Sequence, residues 1–188
     1  MIACNANQTS LQAPTTPAAV QFRITDEQAS KVFALSPAGM GPIKLGMTID
    51  EAENASSLDL AINSERQTQT CTYVESVNGF DEEVNFLTVD NRIVRIAVVR
   101  PSYGESILAT DRGIGIGSSH SDVQAAYPEA EVTSESGYSF TLRSTSKSAS
   151  QAKLSIATDG VEVTGIEVEE ILQTNLISKC NYTFKRTL

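Results

Sequence analysis

Few side chains in this sequence are suited to catalysis or to metal binding: there is one histidine, His120, and there are three cysteines, Cys4, Cys71 and Cys180. A catalytic histidine acts with a nucleophile and an acidic partner, and the sequence assigns neither to His120. A zinc site needs three or four nitrogen and sulfur ligands, and the histidine lies apart from Cys71 and Cys180 along the chain. We therefore predict that the protein is not an enzyme and that it holds no metal ion and no cofactor.

The glycines at residues 113, 115 and 117 stand just before a predicted helix start, where backbone N–H groups are able to bind anions. The dinucleotide-binding pattern requires a further glycine at residue 118 or 120, depending on the frame. Ser118 and His120 occupy those positions. Because the motif also lacks a surrounding strand–helix–strand unit, we do not interpret it as a nucleotide site.

Charge gives little sign of a specific ligand. The net charge is −9, and the fourteen lysines and arginines are scattered, so a nucleic-acid backbone would be repelled. The acids of residues 81–83 and 167–170 lack calcium-loop spacing, and we interpret them as solvated surface. Three arginines lie along one predicted strand, at Arg92, Arg95 and Arg100. A strip that binds anions therefore stays an alternative.

The first four residues, Met-Ile-Ala-Cys, resemble the end of a bacterial lipoprotein signal, in which a small residue precedes the cysteine that is acylated. This resemblance implies lipidation of Cys4. Residues 5–21 are rich in Asn, Gln, Thr, Ala and Pro, which is typical of a flexible tether. No apolar run reaches the ~20 residues that span a bilayer. We therefore expect the protein on the periplasmic side of the bacterial cell envelope, anchored by lipid to the outer membrane.

Cys71 and Cys180 remain once Cys4 is set aside. In an exported protein, two such cysteines on strand-like segments favour a disulfide, which would close a loop of about 110 residues. The alternative is a pair of unrelated buried thiols.

Two short helices are predicted from capping-box spacing, Thr48 to Glu51 and Ser119 to Asp122. The glycine two residues before each cap recurs after 71 residues, at Gly46 and Gly117, which indicates an internal repeat. After each helix, alternating apolar residues predict strands, with hairpin turns at residues 90–91 and 159–160. A change of parity near Thr164-Gly165 predicts a bulge.

These elements predict an α+β fold of two tandem helix-plus-antiparallel-sheet repeats. We place the tether at residues 1–21, the first repeat at residues 22–101 and the second repeat at residues 102–188.

This plan resembles beta-lactamase-inhibitory protein and the small outer-membrane assembly lipoproteins of the BamE type, through the Gly-Met-Thr-x-x-Glu-Ala helix start at residues 46–52. Residues 36–182 also resemble a widespread set of secreted bacterial proteins that brings no activity with it. The second likeness rests on residues 41–48, 71–73, 92–96 and 113–117 and on Cys180. That family has cysteines where Cys71 and Cys180 fall, so the resemblance implies the same disulfide.

The favoured function is a noncatalytic envelope lipoprotein that binds another envelope protein, as an inhibitor or an assembly module does, and that contacts the membrane only through its lipid anchor. Strand parity places Ile93, Arg95 and Val99 on the sheet face that no helix covers, and we predict that this face binds the partner. The alternative is a small-ligand-binding protein or a hydrolase with its site between the repeats. An exposed apolar patch on the sheet would favour the first function, and a deep pocket with converging polar groups would favour the second.

Overall fold

The computed structural model of the protein describes residues 31–68, 70–77, 80, 84–101, 106–133, 138–143, 151–171 and 180. The predictions for Cys4, for the tether and for the acids of residues 81–83 lie outside these residues. Among the described residues, no helix combines the length and the hydropathy needed to cross a bilayer.

After two helical residues, Lys31 and Val32, the described chain forms a small antiparallel sheet of three short strands. Its strands are β1 (Leu35–Ser36), β2 (Gly39–Met40) and β3 (Ile43–Lys44). Gly39 has φ +141°, and a Cβ atom there would lie 2.2 Å from the carbonyl oxygen of Ile43. Only glycine therefore allows β2 and β3 to approach this closely.

The remaining strands form one antiparallel sheet of eight strands in the order β4-β5-β6-β7-β11-β10-β9-β8. The strands are β4 (Leu60–Asn63), β5 (Cys71–Ser76), β6 (Val84–Val89), β7 (Arg92–Val99), β8 (Glu131–Thr133), β9 (Tyr138–Arg143), β10 (Ala152–Thr158) and β11 (Val163–Glu170). A 3₁₀ turn, Ser64–Arg66, follows β4.

Two tight connections fix the register of the central strands. Asp90 and Asn91 join β6 to β7 with φ values of +50° and +60°, the left-handed pair that a two-residue hairpin turn requires. Between β10 and β11, the carboxylate of Asp159 accepts hydrogen bonds from the N–H groups of Val161 and Glu162, both at 2.9 Å. Both predicted turns are confirmed.

The predicted bulge on β11 is also confirmed. Thr158 pairs with Val163 and Ala157 pairs with Gly165, so Thr164 is the extra residue. Because one residue is inserted, the inward-facing set changes parity from Val163 to Ile166.

Two helices lie wholly within the described residues, α1 (Ile49–Ser56) and α2 (His120–Ala126), and both begin at the predicted capping boxes. The hydroxyl of Thr48 accepts from the N–H of Glu51 at 3.2 Å, and the N–H of Thr48 donates to the Glu51 carboxylate at 2.8 Å. Ser119 and Asp122 repeat this exchange. Each helix buries a single residue, Ala52 in α1 and Val123 in α2.

The main core lies between one face of the large sheet and the layer formed by the small sheet and the helices. Its large fully buried side chains come from both ends of the described chain and are Phe33, Leu35, Met40, Ile43, Phe86, Ile93, Ile96, Leu108, Phe140, Leu154 and Ile156. A second apolar cluster comprises Cys71, Tyr73, Leu87, Val89, Val94 and Cys180. The strand residues of this second cluster alternate with residues of the main core along β5 and β6, so it lies on the opposite face of the sheet.

The predicted fold class, an α+β fold of two tandem helix-plus-sheet repeats, is wrong. The protein is mostly β, with a three-stranded and an eight-stranded sheet, and the strands that follow the two helices share the larger sheet. A helix of eight residues is about 12 Å long. Four strands are about 19 Å wide, so one such helix cannot cover the apolar face of a four-stranded sheet. Joining the two sets of strands edge to edge buries both apolar faces in one core.

The domain boundary placed between residues 101 and 102 stays a prediction. Strand β7, which precedes it, pairs with β11, which follows it, through residues 95–99 and 165–169.

The Sγ atoms of Cys71 and Cys180 lie 2.04 Å apart, which is bonding distance. The two residues are separated by 109 positions, so the bond closes a long loop. We predict that reduction, or a Cys71→Ala/Cys180→Ala double substitution, lowers the free energy of unfolding by about 2 to 4 kcal/mol. Denaturant unfolding with and without reductant measures this loss. Nonreducing peptide mapping that finds both thiols free in protein from the native envelope would show that the bond is not used.

Candidate functional site

The face of the large sheet opposite the main core, termed here the outer face, has two adjoining rows of side chains that run across the strands. Paired residues define the first row as Tyr73, Leu87, Arg95, Glu169 and Lys153. They define the second row as Glu75, Asn85, Ala97, Glu167, Ser155, Thr141 and Glu131. Along the first row, the outer face therefore changes from apolar residues at β5 and β6 to charged residues at β7, β11 and β10.

The predicted grouping of Ile93, Arg95 and Val99 is wrong for Ile93. Leu87 pairs with Arg95 and Thr88 pairs with Ile93, so Val94 is an extra residue in β7. This bulge turns Ile93 into the main core, where it is fully buried, and leaves Arg95 and Val99 half-buried on the outer face. It also places Val94 in the second cluster, whereas Ile96 and Val98 belong to the main core.

The sequence alone does not reveal this bulge, because Val94, Ile96 and Val98 alternate regularly. In the structure the core-facing residues are Ile93, Ile96 and Val98, and their spacing of three and then two reflects the inserted residue.

Four charged side chains form the centre of the charged half of the outer face. The Lys153 ammonium lies 2.6 Å from the carboxylate of Glu169, whose side chain is only 10% exposed. Arg95 stands opposite Glu169 on the neighbouring strand. Burial raises the pKa of Glu167, nearby Glu169 raises it further, and Arg95 and Lys153 oppose the increase. With all four groups charged, this cluster is balanced, although the whole chain carries −9.

The other two arginines of this segment, Arg92 at the start of β7 and Arg100 just after its end, do not extend this cluster. Arg92 donates to the carbonyl oxygen of Gly46 at 2.7 Å, which fixes the chain before α1. Arg100 pairs with Glu162 in the β10–β11 connection. Since each arginine has a separate partner, the alternative of an anion-binding strip along β7 gains no support.

His120 is packed against aromatic rings. Its Nδ1 lies 3.0 Å from the hydroxyl of Thr158, and its ring meets Tyr138 and Phe140 edge to face, at centroid distances of 4.7 and 5.1 Å. These contacts connect the start of α2 to strands β9 and β10. His120 therefore has a structural role, because it packs the start of α2 against the sheet.

The glycine motif does not present an anion cradle. The N–H of Gly113 donates to the carbonyl of Thr110 at 2.9 Å, that of Gly115 to the hydroxyl of Ser118 at 3.0 Å, and that of Gly117 to the carbonyl of Val163 at 2.9 Å. All three donors are therefore occupied within the protein. Within the described ranges, no group of three or more His, Cys, Asp or Glu side chains is arranged to hold a metal ion.

A cavity of about 600 Å³, termed here the Arg112 cavity, opens where the β1–β2 turn, the end of α2 and strands β8 to β10 meet. Its lining residues are Ser36, Pro37, Ala38, Asp111, Arg112, Tyr127, Glu129, Glu131, Thr141, Leu142 and Leu154. Sequence reasoning missed this site, because its residues come from five separate segments.

Arg112 and Tyr127 are the most constrained polar residues of the cavity. The guanidinium of Arg112 pairs with Glu129 at 2.7 Å, donates to the carbonyl of Ala126 at 2.7 Å and lies 4.6 Å from the centroid of the Tyr127 ring. The hydrogen bond to Glu129 raises the pKa of Arg112, and the same bond lowers the pKa of Glu129. Burial raises the pKa of Tyr127 to about 12, so its hydroxyl stays protonated and donates to Asp111 at 3.3 Å.

A scan against protein-family models, a search of curated proteins and a search of solved structures each found no match. The resemblance to inhibitory and assembly lipoproteins therefore stays a prediction.

We predict that Glu167→Gln raises the free energy of unfolding at neutral pH. The folded-state pKa of Glu167 lies above its ordinary value of 4.5, so folding favours the neutral form. The resulting stabilisation is present below about pH 4.5 and is lost as the pH rises through the folded-state pKa. Denaturant unfolding between pH 4 and pH 8 should show an advantage of the variant that grows with pH.

Glu131→Gln is the matched control, because Glu131 belongs to the same cross-strand row but is exposed. Its effect should stay small across the series. A Glu167→Gln protein that is less stable than wild type at pH 7 would show that the ionised carboxylate is favoured by Arg95 after all.

Proposed function

We propose that the protein is a noncatalytic binding module of the bacterial cell envelope, of the inhibitor or assembly type, and that the charged half of its outer face contacts a folded envelope protein. The observation that carries the proposal is the cluster of Arg95, Lys153, Glu167 and Glu169 on the outer face, in which Glu169 is buried and the other three residues are half-buried. A solvated surface needs no such arrangement.

The energetics of buried charges support recognition over stability as the role of this cluster. Taking ions out of water costs several kcal/mol each, and a buried ion pair repays that cost only with excellent geometry. In interfaces, by contrast, fixed charges set the register and exclude wrong partners. Glu167 illustrates the cost, because burial raises its pKa.

The local balance of charge defines the partner chemistry. Two cations and two carboxylates in one patch match a polar surface that also carries both signs. They do not match a polyanion or a uniformly basic surface. The flanking Asn85, Ser155 and Thr141 offer neutral hydrogen-bonding groups in the same row. The occupant is therefore a protein surface of mixed charge, and nucleic acid is not expected there.

The packing of the potentially reactive groups agrees with a noncatalytic function. His120 is held by Thr158 and two aromatic rings, and the Sγ atoms of Cys71 and Cys180 are at bonding distance. The N–H groups of the glycine motif donate within the protein. Each group has a structural role in the fold.

We predict that Ser155→Arg blocks association without harming the fold. Ser155 lies beside Glu167 in the second row, so the new cation gains an opposite charge across the strands, a contribution of about 0.2 to 1 kcal/mol. Its long side chain would also occupy the centre of the contact surface. A photo-reactive residue at Thr141, in the same row, should yield an adduct with a second envelope protein in the native host, and Ser155→Arg should lower its yield at least about tenfold.

Gln124→Arg is the matched control, because Gln124 is exposed on α2, which packs on the other side of the sheet. This variant adds the same charge and should leave the adduct unchanged. An adduct that persists in Ser155→Arg protein with a normal unfolding curve would remove the outer face from the binding site.

The location of the module follows from Cys4, which we propose is acylated, so that the polar residues 5–21 tether the folded part to the outer membrane. We predict that a metabolically incorporated fatty-acid probe labels the protein expressed in its native host and does not label a Cys4→Ala form. Cys71→Ala/Cys180→Ala protein serves as the control and should keep the label. Equal labelling of the Cys4→Ala and wild-type proteins would refute the anchor.

A further inference from the structure

The Arg112 cavity shares no residue with the cluster of Arg95, Lys153, Glu167 and Glu169, although Thr141 and Glu131 of the second row contribute to its lining. Its size suits a small molecule. Its volume of about 600 Å³ falls in the range of ligand pockets in proteins, roughly 300 to 1,000 Å³. Leu154, fully buried, and Leu142, half-buried, supply an apolar surface from the core side of β10 and β9. Polar residues of the β8 edge and of the segments on either side of α2 surround it.

The arginine of the cavity is not arranged to receive an anion. One terminal nitrogen of Arg112 donates to the carbonyl of Ala126 and the other pairs with Glu129, and the guanidinium lies over the ring of Tyr127. These contacts satisfy the charge of Arg112 within the protein. A carboxylate or phosphate ligand would have to compete with Glu129 for it.

Two further carboxylates in the lining leave the cavity with an excess of negative charge. The lining contains the carboxylates of Asp111, Glu129 and Glu131 and the single guanidinium of Arg112, a formal charge of −2. Among the described residues, neither Asp111 nor Glu131 forms an ion pair. The hydroxyl of Tyr127 donates to Asp111 at 3.3 Å, so this carboxylate already accepts one hydrogen bond within the protein.

We propose that the Arg112 cavity binds a small organic cation, a primary ammonium group on a short apolar stem. The stem packs on Leu142 and Leu154, and the ammonium group lies between the carboxylates of Asp111 and Glu131. The Arg112–Glu129 pair acts as a fixed wall that shapes the cavity, with Tyr127 beneath it.

The test compares three probes that share a six-carbon stem and differ in the head group: hexylammonium, hexanol and hexanoate. Calorimetric titration of the whole protein should give the tightest binding for hexylammonium, at least about fivefold tighter than hexanol, which corresponds to one ion-pair contact near water. Hexanoate should bind most weakly. Shifts of the Leu142 and Leu154 methyl resonances locate the bound stem, and added salt should weaken only the hexylammonium complex.

Glu131→Gln isolates the charge, because Glu131 is exposed on the edge strand and its replacement spares the core. The variant should bind hexylammonium about fivefold more weakly and hexanol unchanged. Glu65→Gln, an exposed carboxylate outside the cavity, should change neither. Equal affinity for hexylammonium and hexanol, preference for hexanoate, absence of hexylammonium binding, or an unaltered Glu131→Gln protein would each overturn the proposal.

Discussion

Pairing between β7 and β11 is the constraint on which the rest of the structure depends. It joins strands from distant parts of the chain, and its register sets both faces of the sheet. On one face it aligns Ile96 with Val168 in the main core. On the other face it sets Arg95 opposite Glu169. A slip of one residue would move charges into the core, so the apolar face and the charged cluster are fixed together.

The parts of the fold that the sequence predicts are those set by neighbouring residues. The capping boxes at Thr48 and Ser119 and the turn at residues 90–91 each depend on a few consecutive side chains. The bulge at Thr164 left a visible change of parity in the chain. Within such short segments, side-chain type alone decides the backbone conformation, and these predictions are confirmed.

The parts that the sequence did not predict are those set by contacts between distant segments. The hydrophobic pattern shows that each set of strands has an apolar face that must pack against another layer. It does not show that the two sets join through β7 and β11. The edge strands β4 and β8 were missed because they are short and mostly exposed. The Arg112 cavity depends on the meeting of the β1–β2 turn with the end of α2, which no local pattern encodes. Ile93 was misplaced because both it and Val94 are apolar, which hid the bulge between them.

The two bulges determine where the sheet can lose a residue without turning its apolar side chains outward. Val94 and Thr164 are the extra residues of the two central strands. Deletion of Val94 would remove the first bulge, and the side chains of Ile93 and Ile96 would still face the core. Deletion of Thr164 would remove the second bulge, and Val163 and Ile166 would still face the core. Loss of one codon within β6, which runs without a bulge from Val84 to Leu87, would instead exchange its buried and outer residues. The two central strands therefore tolerate the deletion of one residue at Val94 or Thr164, whereas the neighbouring strand β6 does not tolerate a deletion.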